Sequence, residues 1–85
     1  MATQVIKLAR NIVPGVFTLQ VPSGIRILSV DATGIVILKP QTADPDESRT
    51  FEVIDPGGSL ADDDPEKYVY LGSVGDRQVF ERALD

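Results

Sequence analysis

Between residues 21 and 40 the chain reads VPSGIRILSVDATGIVILKP, and everything else in so short a protein must pack around that stretch. Two runs within it, residues 25–30 and 35–39, are dense in β-branched side chains and too short for a stable helix. They predict two neighbouring strands turned at Asp31-Ala32-Thr33-Gly34. Aspartate favours hydrogen bonds to its own backbone in such a turn, and Gly34 is expected to supply a positive φ. Both strands are apolar at nearly every position. Because side chains alternate across a strand, Ile35, Val36, Ile37 and Leu38 put two large groups on each face. Both faces then need cover, from the rest of the domain or from another copy of it.

A chain of 85 residues makes one domain with a single modest core. It contains neither Cys nor His, which removes disulfides and leaves no basis for expecting a metal or another cofactor. Oligomerisation is the remaining route to extra burial, so a homo-oligomer is expected. The opening residues, MATQVIKLARNIVPG, hold no apolar run of signal-peptide or membrane-span length, and a soluble cytosolic product with no membrane partner is expected. Thirteen acidic residues against eight basic give a net charge of −5. Binding to DNA or RNA calls for a basic footprint and is not expected. The bases are scattered along the sequence, yet folding can still bring them together on a small anion.

Strand and turn signals continue outside the hairpin. Residues 4–9 predict a first strand, and Val13-Pro14-Gly15-Val16 a turn with proline second and glycine third. Residues 16–21 alternate, with Phe17, Leu19 and Val21 inward. Pro40 ends the hairpin, since proline cannot donate to a ladder. Residues 41–48, QTADPDES, predict a polar loop, and 49–54 a further alternating strand. After the break Asp55-Pro56-Gly57-Gly58-Ser59 and the acidic run 60–67, residues 68–74 predict a strand with both tyrosines on one face. Gly75-Asp76 fits a two-residue type II′ hairpin loop leading into a last strand, 77–82. The fold class expected is all-β: a small antiparallel sandwich or partly open barrel of six to seven short strands in a single domain, 1–85. Phe17, Leu19, Val21, Phe51, Val53, Val69, Leu71, Val79 and Phe80 are expected to cover one face of the hairpin, with nothing of comparable size left for the other.

Candidate sites are few. The run Asp62-Asp63-Asp64-Pro65-Glu66 lacks EF-hand spacing and reads as a solvated acidic loop. Asp31-Ala32-Thr33-Gly34 is displaced by its alanine from the Asp-Thr-Gly of aspartic proteases, and a turn accounts for it. The glycine pair of Asp55–Ser59 exposes backbone N–H groups of the kind that cradle phosphate, although a plain turn explains it too and no Walker-type Gly-Lys-Ser follows. Tyr68 and Tyr70 offer faces for stacking on a ring, or serve as ordinary sheet aromatics. Without His or Cys, and with no spaced set of carboxylates, Lys, Ser or Tyr, catalysis is not expected.

The ordered set Ile27-Leu28-Ser29-Val30, Asp44-Pro45, Arg49-Thr50-Phe51, a glycine turn, Tyr70-Leu71-Gly72-Ser73-Val74 and Val79-Phe80-Glu81 resembles a widespread family of small bacteriophage proteins of unknown function. There, "ILSV", "RTF", "LGT" and "VFE" motifs follow in the same order, and the match spans roughly residues 5–81. This chain lacks the tryptophan that many relatives carry near residues 35–38, and has Ser59 where a histidine often ends the glycine turn. The resemblance implies a non-enzymatic phage accessory protein. One expectation is an immune-evasion sponge in the host cytoplasm: a homo-oligomer sequestering a cyclic-nucleotide signal through Arg49, Thr50, Gly57, Gly58, Ser59 and Tyr70. The other is a structural protein of the virion, a capsid-decoration or tail-accessory subunit that packs on other phage proteins. An adaptor for a host protein is the third.

Overall fold

The computed structural model describes residues 3–40, 44–62 and 64–82. Seven strands form: β1 (Gln4–Ala9), β2 (Gly15–Ser23), β3 (Arg26–Asp31), β4 (Gly34–Lys39), β5 (Asp44–Ile54), β6 (Tyr68–Val74) and β7 (Arg77–Arg82). They make two antiparallel sheets, ordered β1-β4-β3 and β2-β5-β7-β6, stacked as a small all-β sandwich. The molecule is flat, 44 × 28 × 16 Å. No helix among the described residues is long and apolar enough to cross a membrane.

The hairpin β3–β4 lies in the smaller sheet, with β4 at its centre. Register places Leu8, Ile35 and Val30 in one row and Ile6, Ile37 and Ile27 in the next, all toward the core. Phe17, Val21, Phe51, Val53 and Val79 meet them from the larger sheet. Six of these side chains, Val21, Ile35, Ile37, Phe51, Val53 and Val79, are fully buried, each contributing about 1.5–3 kcal/mol. Phe17 and Phe51 sit directly opposite across β2–β5, their rings stacked with centroids 5.4 Å apart. The sandwich closes on one side where β3 comes against β6: a Cβ on Gly72 would lie 3.4 Å from Cγ2 of Val30. Both strands carry a bulge, between Ile27 and Ser29 and between Tyr70 and Gly72.

Two expectations about placement change. Residues 44–48 are not a loop but the first half of β5, paired with Gln20–Ser23 of β2 (Gln20↔Ser48, Val21↔Glu47, Pro22↔Asp46, Ser23↔Asp44); residues 41–43 lie outside those described. Pairing with a long neighbour overrides the poor strand propensity of Asp, Pro and Glu. Val69 and Phe80 do not join the inner cover: Val69 is 55% exposed, and Val79 takes the inward position while Phe80 pairs with Tyr70 on the outer face. A single 3-10 turn, Pro65–Lys67, capped by Asp64, interrupts the acidic segment.

Gly34 differs in its reason rather than its place. Its φ is not positive. Glycine is needed there because β1 crosses against it: a Cβ would stand 2.3 Å from the carbonyl oxygen of Leu8 and 3.2 Å from Cα of Ala9. The positive φ appears at Gly75 (59°), followed by an Asp76 that has none, as a type II′ loop between Val74 and Arg77 requires. Backbone cannot yield as a side-chain tip can. Gly34→Ala is therefore expected to push β1 from β4 and cost about 1–3 kcal/mol in denaturant unfolding, while the slope of the transition stays unchanged.

Candidate functional site

Arg49 and Thr50 are neighbours in β5 and so point to opposite sides of the larger sheet. Arg49 pairs with Leu19 in register and turns inward. Its guanidinium forks onto the Glu81 carboxylate, with Nε to Oε2 and Nη2 to Oε1, and Nη1 donates to the carbonyl of Ile25 at 3.2 Å. Hydrogen bonding to Glu81 raises the Arg49 pKa further above its usual value. The pair is largely shielded from solvent, and the bond to Ile25 ties β5 to the segment entering β3. In a fork–fork pair both charges and most donors are engaged.

Thr50 faces outward and shares a hydrogen-bonding pair of hydroxyls with Thr18 at 3.1 Å. Tyr70 is also outward and 56% exposed, its hydroxyl donating to Gln78 at 2.7 Å. Tyr68, Phe80 and Tyr70 form an aromatic row, with Phe80 6.0 Å from the first ring and 5.4 Å from the second. Both tyrosines thus lie on one face, as the alternation requires. Arg49, on the other side of the sheet, does not join them.

Gly57, Gly58 and Ser59 follow the end of β5. The amide of Gly58 donates to the carbonyl of Asp55 at 2.9 Å, closing a turn. Gly58 and Ser59 border an open cavity of about 310 Å³, together with Pro14, Val16, Glu52 and Asp55. Two carboxylates on its wall disfavour a phosphate by simple charge repulsion. Arg77 is paired with Asp55 at 3.1 Å and also holds the carbonyl of Ile12 at 3.0 Å. The six residues therefore occupy three surroundings: Arg49 within the sandwich, Thr50 and Tyr70 on the outer sheet face, and the glycine turn at the end of β5.

Glu52 was not singled out by its sequence and is the best-organised polar group. It is 3% exposed, and its register with Val16 and Phe80 puts it on the outer face. The segment after β5 folds back over it. The Ala61 amide donates to Oε2 at 2.7 Å, and the Tyr68 hydroxyl donates to Oε1 at 3.1 Å while accepting from the Asp62 amide at 2.9 Å. Asp62 is held in turn by Lys67 at 3.2 Å and Arg82 at 3.6 Å, and the Asp64 amide and then Lys67 lower its pKa. A lone Glu in an alternating strand reads as solvated. The signal available was the length of the following segment, enough to return over it, and a Tyr at its end. Among the described residues no group of three acids is placed to hold a metal ion.

The Asp31 turn is structural as well. Its Oδ1 accepts from the amide and the hydroxyl of Thr33, each at 2.8 Å, and Lys7 reaches Oδ2 at 2.8 Å. Lys7 and then Thr33 depress its pKa to about 2, from 3.8.

Two measurements test these networks. Tyr68→Phe removes the shared hydroxyl, leaving an oxygen of Glu52 and the Asp62 amide without it. Stability should fall by about 1–2 kcal/mol, and hydrogen exchange should quicken at Ala61 and Asp62 with the core amides unchanged. For Asp31, the unfolded chain takes up a proton near 3.8 and the folded one only near 2. Its contribution is therefore complete above about pH 4 and lost as pH falls from there to about 2. A carbon-detected titration should give the low midpoint, and Lys7→Met should move it upward. No protein-family model, curated protein or solved structure matches this chain.

Proposed function

We propose that this chain is a non-enzymatic structural subunit that works by packing its sheet surfaces against other proteins, the virion-component role that its resemblance to small bacteriophage proteins implies. The outer face of the smaller sheet carries the reading. Val5 is 62% exposed and lies directly beside Leu38, with Val36 one row along, half-buried. In so small a domain a side-by-side apolar row on a regular sheet has the character of a contact surface rather than of scattered exposed residues.

The sponge reading asks more of the same molecule. It needs a cation to meet a phosphate, and Arg49 is clamped between Glu81 and Ile25. Freeing it would leave Glu81 without its partner inside the sandwich, at a cost of several-fold or more in affinity for any ligand that required it. The aromatic row is consistent with stacking on a base, but it stands beside an acidic segment.

The subunit reading is tested on purified particles and on pure protein together. Mass spectrometry of particles made by the encoding phage should find the chain at copy numbers comparable with other minor structural proteins. Calorimetric titration with a panel of cyclic di- and trinucleotides should give no heat at micromolar concentrations. Absence from particles, or saturable nucleotide binding abolished by Arg49→Ala, overturns the reading.

A further inference from the structure

The charges of this protein are sorted between its two sheets. The smaller sheet carries three bases, Lys7, Arg26 and Lys39, against one acid, Asp31. In the larger sheet and the segment joining β5 to β6, acids outnumber bases by about two to one or more. There the bases Arg49, Lys67, Arg77 and Arg82 each form an ion pair with an acid of the same half. On the smaller sheet, among the described residues, Lys7 is paired with Asp31, while Arg26 and Lys39 form no ion pair.

Register shows how these bases sit. Val5, Leu38 and Arg26 form one row across the outer face, and Lys7, Val36 and Ser29 the next. Lys39, two residues beyond Ile37 and opposite Gln4, falls by alternation on the inward side at the end of the sheet and not on this face. The arrangement is an apolar centre bordered by the unpaired Arg26 and by Lys7 with its partner Asp31. The outer face of the larger sheet has the complementary pattern: Val16 (53% exposed), Phe80 and Tyr70 supply apolar surface. Asp46, Asp64 and Glu66 are exposed acids, the last two on the segment anchored over Glu52 and Tyr68.

We infer that these two faces bind each other between copies, so that the smaller sheet of one chain stacks on the larger sheet of the next. This builds on the structural role by naming a second copy as the first partner. The two faces lie on opposite sides of the sandwich, so the contact is head-to-tail. A head-to-tail contact leaves a free face at each end and extends to a stack or ring instead of stopping at a symmetric pair. Opposite charges around an apolar centre set the orientation and reject the reverse pairing of like faces.

Sedimentation of the pure protein tests the idea. Average mass should rise with concentration at low salt and fall toward one chain at about 0.5 M salt, where screening shortens the reach of charge to a few ångströms. Arg26→Glu spoils the basic face and should be monomeric; Asp46→Lys with Glu66→Lys spoils the acidic face and should be monomeric too. Each variant keeps one good face. Mixed in equal amounts they should assemble together, through the intact faces and through the reversed ones whose charges now complement each other, which a symmetric contact cannot produce. Circular dichroism checks that both variants are folded. A wild-type monomer at low salt, a mixture that stays monomeric, or single variants that assemble like the wild type each overturn the stacking. A monomeric chain still found in particles would remove this inference while leaving the structural role intact.

Discussion

Strand β4 must hide apolar groups on both of its sides, and the rest of the molecule is arranged by that requirement. Ile35 and Ile37 are completely buried on one side, under Phe17, Phe51, Val53 and Val79. Placing β4 between β1 and β3 satisfies its backbone, since a central strand has both edges paired. It also demands close passage of β1, which is why position 34 lacks a side chain. The other side of β4, Val36 and Leu38, receives only partial cover, because the larger sheet packs against the first side and no second layer lies against this one. An 85-residue chain has no further layer to supply. The half-covered face follows from size.

Polar groups in this protein mostly hold layers and segments together. Arg49 and Glu81 bridge β5 and β7 at the core-facing side and reach the entrance of β3. Arg77 joins Asp55 to the carbonyl of Ile12, so the β6–β7 turn is tied to the β1–β2 link. Glu52 anchors the acidic segment through an amide and a tyrosine. Among the described residues, no buried side-chain nitrogen or oxygen lacks a hydrogen-bond partner. Groups so engaged are poor ligands for a small molecule, because recruiting them exposes the cost of leaving their partners unmatched.

Local signals in the sequence carried the strands well, because alternation and turn chemistry act over a few residues. The type II′ loop at Gly75-Asp76, the paired orientation of Tyr68 and Tyr70 and the all-β class all come from such short-range rules. What failed depended on distant partners. Residues 44–48 read as a loop until Gln20–Ser23 lies beside them, and Gly34 reads as a turn glycine until β1 crosses it. Phe80 looked like core by its size alone, yet its neighbour Val79 has the inward position. The candidate site suffered in the same way. Arg49 and Thr50 are adjacent in sequence, and adjacency in a strand places two side chains on opposite faces.

The sorting of charge shows the same limit in its strongest form. Along the sequence the bases look evenly scattered, because the chain alternates between sheets: β1, β3 and β4 belong to one, β2, β5, β6 and β7 to the other. A base every ten residues or so thus becomes, after folding, an excess of cations in one sheet and cations paired with acids in the other. The bases do not come together around a small anion: Lys7, Arg49, Lys67, Arg77 and Arg82 are each paired with an acid, and Arg10 lies over the Phe17 ring. A flat apolar surface bordered by a single unpaired arginine suits a broad protein partner, whereas a small anion is held by several donors closing on one point. Strand order, invisible in the linear chain, is what turns an acidic protein with a net charge of −5 into one with two dissimilar sides.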